Sequence, residues 1–217
     1  MPSCCHGDEY HSIFTRKEAS RTASRFRRRG LRGSASDLAT LVRGVALPGG
    51  TLLEVGGGIG EIQVALLETG AVSRAVNVDL SGNWEEAAGA LIAERGLNGR
   101  IERLVADFVD EADSLPQAGI VVLHRVVCCY RDWRAMVDAT LSRASDFIAM
   151  TFPVDRWYTR AVVGLGNIAF RLRHLAFRAY VHSPEAIIGR LRAGGFVLVR
   201  ERTRLPWQTV VLERSKD

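Results

Sequence analysis

Three carboxylates and a cluster of glycines give this chain its first chemical signature. Glu54-Val55-Gly56-Gly57-Gly58-Ile59-Gly60-Glu61 follows the apolar Leu52-Leu53 and runs into Ile62-Gln63-Val64-Ala65-Leu66-Leu67, whose apolar spacing is helical. The stretch reads as strand, tight turn and helix N-terminus. Such a construction offers unpaired backbone N–H groups and the positive end of a helix dipole to a ligand, and its glycines let the ligand lie directly on main chain. Ala75-Val76-Asn77-Val78 then ends in Asp79, 19 residues past Gly60. A carboxylate at that point can accept both hydroxyls of a ribose through charge-assisted bonds. Asp107-Phe108 combines an acceptor for an amino group with an aromatic neighbour for a ring. His124, Tyr130 and His182 are the candidates for moving a proton, because histidine titrates near neutrality and all three are placed near predicted strand ends or an apolar segment. Each residue also has a plainer use. Asp79 can cap a helix after Leu80, Asp107 can be a loop carboxylate, His124 can simply hydrogen-bond, and His182 can cap the helix starting near Pro184.

These residues need elements to hold them. Strands are predicted near Thr51–Val55, Arg74–Asp79, Ile101–Val105, Gly119–His124 and Asp146–Phe152, with helices near Gly60–Thr69, Gly82–Arg95 and Trp133–Ala144. Their alternation implies a parallel sheet covered on both faces. Phe196–Arg204 and Trp207–Arg214 are separated only by Leu205-Pro206, too short for a parallel crossover, so they form an antiparallel hairpin. Thr15-x-x-Glu18 is a capping box that opens a helix ending at Gly30, and Ser34-x-x-Asp37 repeats the device for a second helix with Leu38, Leu41, Val42 and Val45 inward. In open α/β sheets a ligand sits outside the carboxyl ends of the strands, where the glycines, Asp79, Asp107 and His124 all fall.

The glycine spacing departs from the dinucleotide pattern G-x-G-x-x-G, since the third glycine comes early, at Gly60. With Glu54 two places before Gly56, the E-x-G-x-G-x-G run resembles motif I of the class I S-adenosylmethionine-dependent methyltransferases. The resemblance covers about Leu52 to Arg214. It implies an α/β, Rossmann-like, seven-stranded and mostly parallel sheet with an antiparallel last strand and helices on both faces. It further implies S-adenosylmethionine as cofactor. Glu54, Gly56, Gly58 and Gly60 then form the methionine-side loop, Asp79 with Leu80 the ribose corner, Asp107 with Phe108 the adenine pocket, and the backbone of His124 lies beside the sulfonium. Val122–Tyr130 and Phe177–His182 are similar to stretches in small bacterial methyltransferases of unassigned substrate. Asn83-Trp84 departs from commoner wording in that family and leaves the ribose contacts open.

The 217-residue chain, 47% hydrophobic and 24% charged, has the size and composition of one soluble α/β domain. No apolar run spans a bilayer and the first residues lack a signal core, so the expected place is the cytoplasm, without stable membrane insertion. The net charge of +5 is local: eight basic residues between Arg16 and Arg32 face a single acid, Glu18. Residues 1–48 are read as a helical lid and 49–217 as the cofactor-binding domain. Residues 153–180 contain a long apolar helix flanked by arginines, read either as a roof over the strand ends or as a pocket wall or interfacial helix. Cys4-Cys5 and Cys128-Cys129 lack zinc spacing but could hold a soft metal or metalloid; the site expectation includes no metal.

The expected function is methyl transfer to a small molecule. A nucleic-acid methyltransferase using the basic helix is one rival. Others are a cofactor-binding protein without turnover, and intramolecular attack on the sulfonium. The sequence leaves the acceptor and the oligomeric state open.

Overall fold

The computed structural model describes residues 10–46 and 49–215. Two helices lead, α1 (Arg16–Arg29) and α2 (Gly33–Arg43). Then come β1 (Thr51–Val55), α3 (Glu61–Glu68), β2 (Arg74–Asp79), α4 (Glu85–Glu94), β3 (Ile101–Val105), the short α5 (Phe108–Glu111) and β4 (Ala118–His124). The chain continues through α6 (Trp133–Arg143), β5 (Ala144–Pro153), α7 (Trp157–Leu172), α8 (Pro184–Ala193), β6 (Phe196–Arg204) and β7 (Trp207–Arg214). One seven-stranded sheet runs in the order β3-β2-β1-β4-β5-β7-β6. β1 through β5 pair in parallel, while β7 pairs antiparallel to both β5 and β6. The hairpin at Leu205-Pro206 is present, and that peptide bond is cis.

Alternating side chains along the central strands feed two cores. Leu53 and Val55 of β1, with Val121 and Leu123 of β4, face α6 and α8. Leu52, Ile120 and Val122 face the other way, toward α1 to α4. That period of two explains why the strands read as nearly continuous apolar runs: both faces are covered.

The N-terminal helices join this second core. Ala19, Ala23 and Phe26 of α1 and Ala35, Leu38, Ala39 and Val42 of α2 are buried with Leu52, Ile59 and Val211. Thr15 caps α1 as its spacing predicts, its hydroxyl accepting from Glu18 N at 3.3 Å, and Gly30 ends the helix. The second capping box is corrected. α2 begins at Gly33 after an extended Arg32 with no side-chain cap, because Ser34 and Asp37 are committed to tertiary bonds. Arg204 Nε and Arg202 Nη1 donate to Asp37 at 2.6 and 3.0 Å, and the Arg204 bond leads in holding this carboxyl below the usual range. α2 is thereby tied to the final hairpin, and its buried residues pack with those of the sheet.

Other boundaries moved as well. Residues Gly82–Trp84 form a separate 3-10 turn before α4, and the apolar helix after β5 stops at Leu172 before an irregular stretch.

Candidate functional site

The strand order reverses between β1 and β4, and the chain leaves β1 and β4 toward opposite sides of the sheet. At this switch point the carboxyl ends of the strands open onto a cavity of about 510 Å³. Gly56, Gly57, Gly58, Asp79, Leu80, Asp107, Phe108, His124 and Tyr130 all line it. Glu54, Gly60 and His182 are not on its wall.

The glycine turn is pinned from several directions. Gly56 N donates to Val78 O at 2.7 Å, and Gly58 N donates to Asp79 Oδ2 at 2.8 Å. The other Asp79 oxygen accepts from Ser81 N at 2.9 Å. Arg103, paired with Glu85, donates to Gly58 O at 2.8 Å. Asp79 therefore joins β2 to the turn, and its burial raises its pKa against the pull of those N–H groups. Behind the turn lies a buried polar set, Glu54, Gln63 and Asn77. Glu54 Oε2 accepts from Gln63 N at 3.3 Å, while its Oε1 and both side-chain amides lack hydrogen-bond partners. Burial lifts the Glu54 carboxyl to about 8. A Cβ on Gly57 would overlap the Asn77 amide and the Glu54 carboxyl carbon, and one on Gly60, at φ +79°, would overlap the Gln63 amide. Glu54 and Gly60 thus shape the turn from behind.

Asp107 and Tyr130 meet. Asp107 caps α5 by accepting from Val109 N at 2.9 Å, and Tyr130 Oη donates to the same carboxylate at 3.1 Å. The phenol is therefore joined to the corner assigned to adenine. His182 sits behind Tyr130, its Nε2 3.0 Å from Tyr130 O and its ring stacked on Tyr180 at 5.4 Å. Burial lowers its pKa. The cap of α8 is Ser183, which accepts from Ala186 N at 3.2 Å.

His124 has partners from the N-terminal helices. Ser34 Oγ accepts from Arg125 Nε at 3.1 Å and Nη2 at 2.8 Å, which fills its lone pairs and leaves its proton for His124 Nε2 at 2.9 Å. The imidazole then carries its own proton on Nδ1. Burial, with the Arg125 charge second, pushes its pKa down to about 3, so the ring is neutral. Arg125 adopts φ +60°, a conformation that costs a non-glycine residue of order 1 kcal/mol or more. It stacks on Trp207 at 4.2 Å. Glu61 also faces the cavity, its pKa raised by burial against the charges of Arg25 and Arg125.

Sequence reasoning missed the aromatic wall. Phe177 packs edge-on against Tyr10 at 5.5 Å, Phe14 at 5.8 Å and Phe170 at 5.5 Å, and Phe14 meets Trp84 at 5.9 Å. Tyr10 Oη donates to Cys129 O at 2.6 Å. Asn83 Nδ2 donates to Phe14 O at 2.8 Å, so the unusual Asn83-Trp84 pair docks the residues before α1 onto the cavity. Asn83-Trp84 and Phe177 stood out in the sequence as wording, but nothing local signals that rings so far apart in the chain meet.

Cys128 and Cys129 both line the cavity, their sulfurs 3.9 Å apart and each donating to Arg125 O. Cys4 and Cys5 lie outside the described residues. Among those described, no group of three or more His, Cys, Asp or Glu is arranged to hold a metal ion.

Comparison with known proteins fits this geometry. No protein-family model matches the chain, and no curated protein matches it. Solved structures do. The chain has the fold of the class I S-adenosylmethionine-dependent methyltransferases. Magnesium protoporphyrin IX methyltransferase from Synechocystis PCC 6803, in a crystal structure with bound SAH, is 20% identical over 96% of this chain and 94% of its own, with a TM-score of 0.68. An O-methyltransferase family protein from Burkholderia thailandensis is 19% identical over 84% of this chain, with a TM-score of 0.66, and the match spans only 55% of that longer protein. A putative methyltransferase from Haloferax volcanii, in complex with the Trm112 methyltransferase activator, is 13% identical over 98% of this chain and 99% of its own, with a TM-score of 0.69.

Proposed function

We propose that this protein is an S-adenosylmethionine-dependent methyltransferase acting on a small, largely apolar acceptor. One observation carries the reading: the glycine turn, Asp79 and Asp107 open onto a single apolar cavity at the switch point of the sheet. Gly56, Gly57 and Gly58 would hold the methionine part, Asp79 and Leu80 the ribose, and Asp107 with Phe108 the adenine. When bound, the sulfonium supplies an activated methyl group.

The chain's own contribution is placement and exclusion of water. Alignment of a nucleophile with the breaking bond can supply ~7–11 kcal/mol of a barrier. Tyr10, Phe14, Phe170 and Phe177 form a wall that suits an aromatic or aliphatic acceptor and few waters. Within this proposal His124 is a neutral residue oriented by Ser34 and Arg125, beside the reacting centre. Tyr130 steadies Asp107, and His182 steadies Tyr130 from outside the cavity. Glu61 is the carboxylate on the wall available to take a proton, its affinity for one increased by burial.

Titration calorimetry with S-adenosylmethionine and S-adenosylhomocysteine tests the cofactor. Mass spectrometry of extract incubated with enzyme and labelled methyl donor tests the reaction and names the acceptor. S-adenosylhomocysteine as co-product supports methyl transfer. Methylthioadenosine in its place would establish intramolecular attack instead, and binding without any turnover would leave a cofactor-binding protein.

A further inference from the structure

Helix α7 turns its apolar side outward. Of its residues only Thr159 is buried. Thr159, Val163, Gly166, Asn167 and Phe170 form the inward stripe, at helical spacing. Asn167 anchors it, exchanging two bonds with the backbone of Ala179 at 2.8 and 2.9 Å. The opposite stripe is Trp157, Ala161, Val162, Leu165, Ile168, Ala169 and Leu172. At 100° per residue these cover an arc of about 140°. Trp157 is 80% exposed, Leu165 67% and Leu172 75%, and among the described residues nothing packs over them. A contiguous apolar face of this kind on a folded protein marks an interaction site.

Charge identifies what it meets. Residues 155–178 contain Arg156, Arg160, Arg171, Arg173 and Arg178 against one acid, Asp155, which is already paired with Arg160. On the helical projection Arg160 and Arg171 lie along one border of the apolar arc and Arg173 continues the other. A second copy of the chain, packed α7 to α7, would set arginines against arginines. An anionic bilayer offers both needs at once: acyl chains for the arc and headgroup phosphates and carboxylates for its borders. Trp157, at one end, has the side chain that favours the headgroup level. No helix among the described residues is long and apolar enough to cross a membrane, so the contact is peripheral.

We propose that α7 is a docking surface for an anionic lipid bilayer, lying in the interface plane with Leu165, Ile168 and Leu172 immersed and Trp157 at the headgroup level. Phe170, on the inward stripe, belongs to the cavity wall, so docking sets the cavity beside the lipid. The inference is independent of the catalytic reading, and its test needs no turnover.

The full-length protein is sedimented with large vesicles of phosphatidylcholine alone and with an equal mixture of phosphatidylcholine and phosphatidylserine. Binding to the mixed vesicles that weakens with salt, with little on the neutral ones, is expected. Leu165→Glu with Ile168→Glu should abolish it, and Arg171→Glu with Arg173→Glu should weaken it by about tenfold or more, since each basic residue near such a surface is worth ~1 kcal/mol. Both variants alter exposed positions away from the cavity, so their circular dichroism and S-adenosylmethionine affinity should match the parent. No binding to the mixed vesicles at low salt would overturn the proposal, as would undiminished binding by the Leu165→Glu, Ile168→Glu variant. Concentration-dependent dimerisation that this variant removes would assign the face to a second copy and likewise overturn it.

Discussion

Asp79 is the residue on which the cofactor reading can be tested most directly. Its carboxylate already bonds Gly58 N and Ser81 N, so it sets the turn as well as offering a lone pair to a ribose. Asp79→Ala should lower S-adenosylmethionine affinity by about 100-fold, the loss expected of two bonds to a charged group, with the fold intact by circular dichroism. Unchanged affinity by calorimetry would remove the ribose assignment. Glu54 makes a different prediction. Its pKa is about 8 in the fold and near 4.5 in the unfolded chain. The folded state thus binds the extra proton between those values, and stability must fall as pH rises through that window. Glu54→Gln, which resembles the protonated acid, should flatten the decline and raise Tm at pH 8 relative to the parent. His124 works with the opposite sign. Its folded pKa of about 3 lies below the ordinary 6.5, so the stability it contributes is complete above 6.5 and drains away toward 3. His124→Gln should lessen acid sensitivity in thermal melts across that range.

Among the elements, α2 shows how far a helix can differ from its local signals. Ser34-x-x-Asp37 spells a capping box, yet Ser34 faces His124 and Arg125 while Asp37 faces the last hairpin. Such long-range partners outweigh a local cap worth ~1 kcal/mol. Leu38, fully buried between α2 and the sheet, should cost about 3 kcal/mol when cut to alanine, measured by denaturant unfolding. A helix that only closed over a ligand would lose far less. Removing residues 1–32 takes away Tyr10, Ile13 and Phe14 from the cavity and Ala19, Ala23 and Phe26 from the core. The shortened protein should keep its sheet but melt at lower temperature, and it should bind S-adenosylmethionine more weakly. Full activity after that deletion would remove the N-terminal wall from the site.

For the molecule as a whole, the sheet was legible because its signals are periodic and local. β1, β2, β3, β6 and β7 match their predicted spans, and the two-residue link fixed the sense of the hairpin. The glycine turn and Asp79 were legible for the same reason. What escaped reading was contact at a distance: Tyr130 on Asp107, Arg125 on Trp207, and the rings of Tyr10, Phe14, Phe170 and Phe177 gathered from residues more than a hundred apart. Periodicity reports which face of an element is apolar, and says nothing of which apolar partner it finds. That limit applies to α7 above all, whose pattern marked a wide apolar face without saying that the face would look outward.

The placement of β7 has a bearing on synthesis. β5 cannot complete its hydrogen bonding until a strand some sixty positions later has been made, as the pairing of Phe147 with Glu213 requires. Asp37 waits far longer, since Arg202 and Arg204 lie 165 and 167 positions further along the chain. A chain emerging from the ribosome would therefore carry an unpaired strand edge and a loosely held second helix until near the end of translation, the interval in which chaperone or protease has its opportunity.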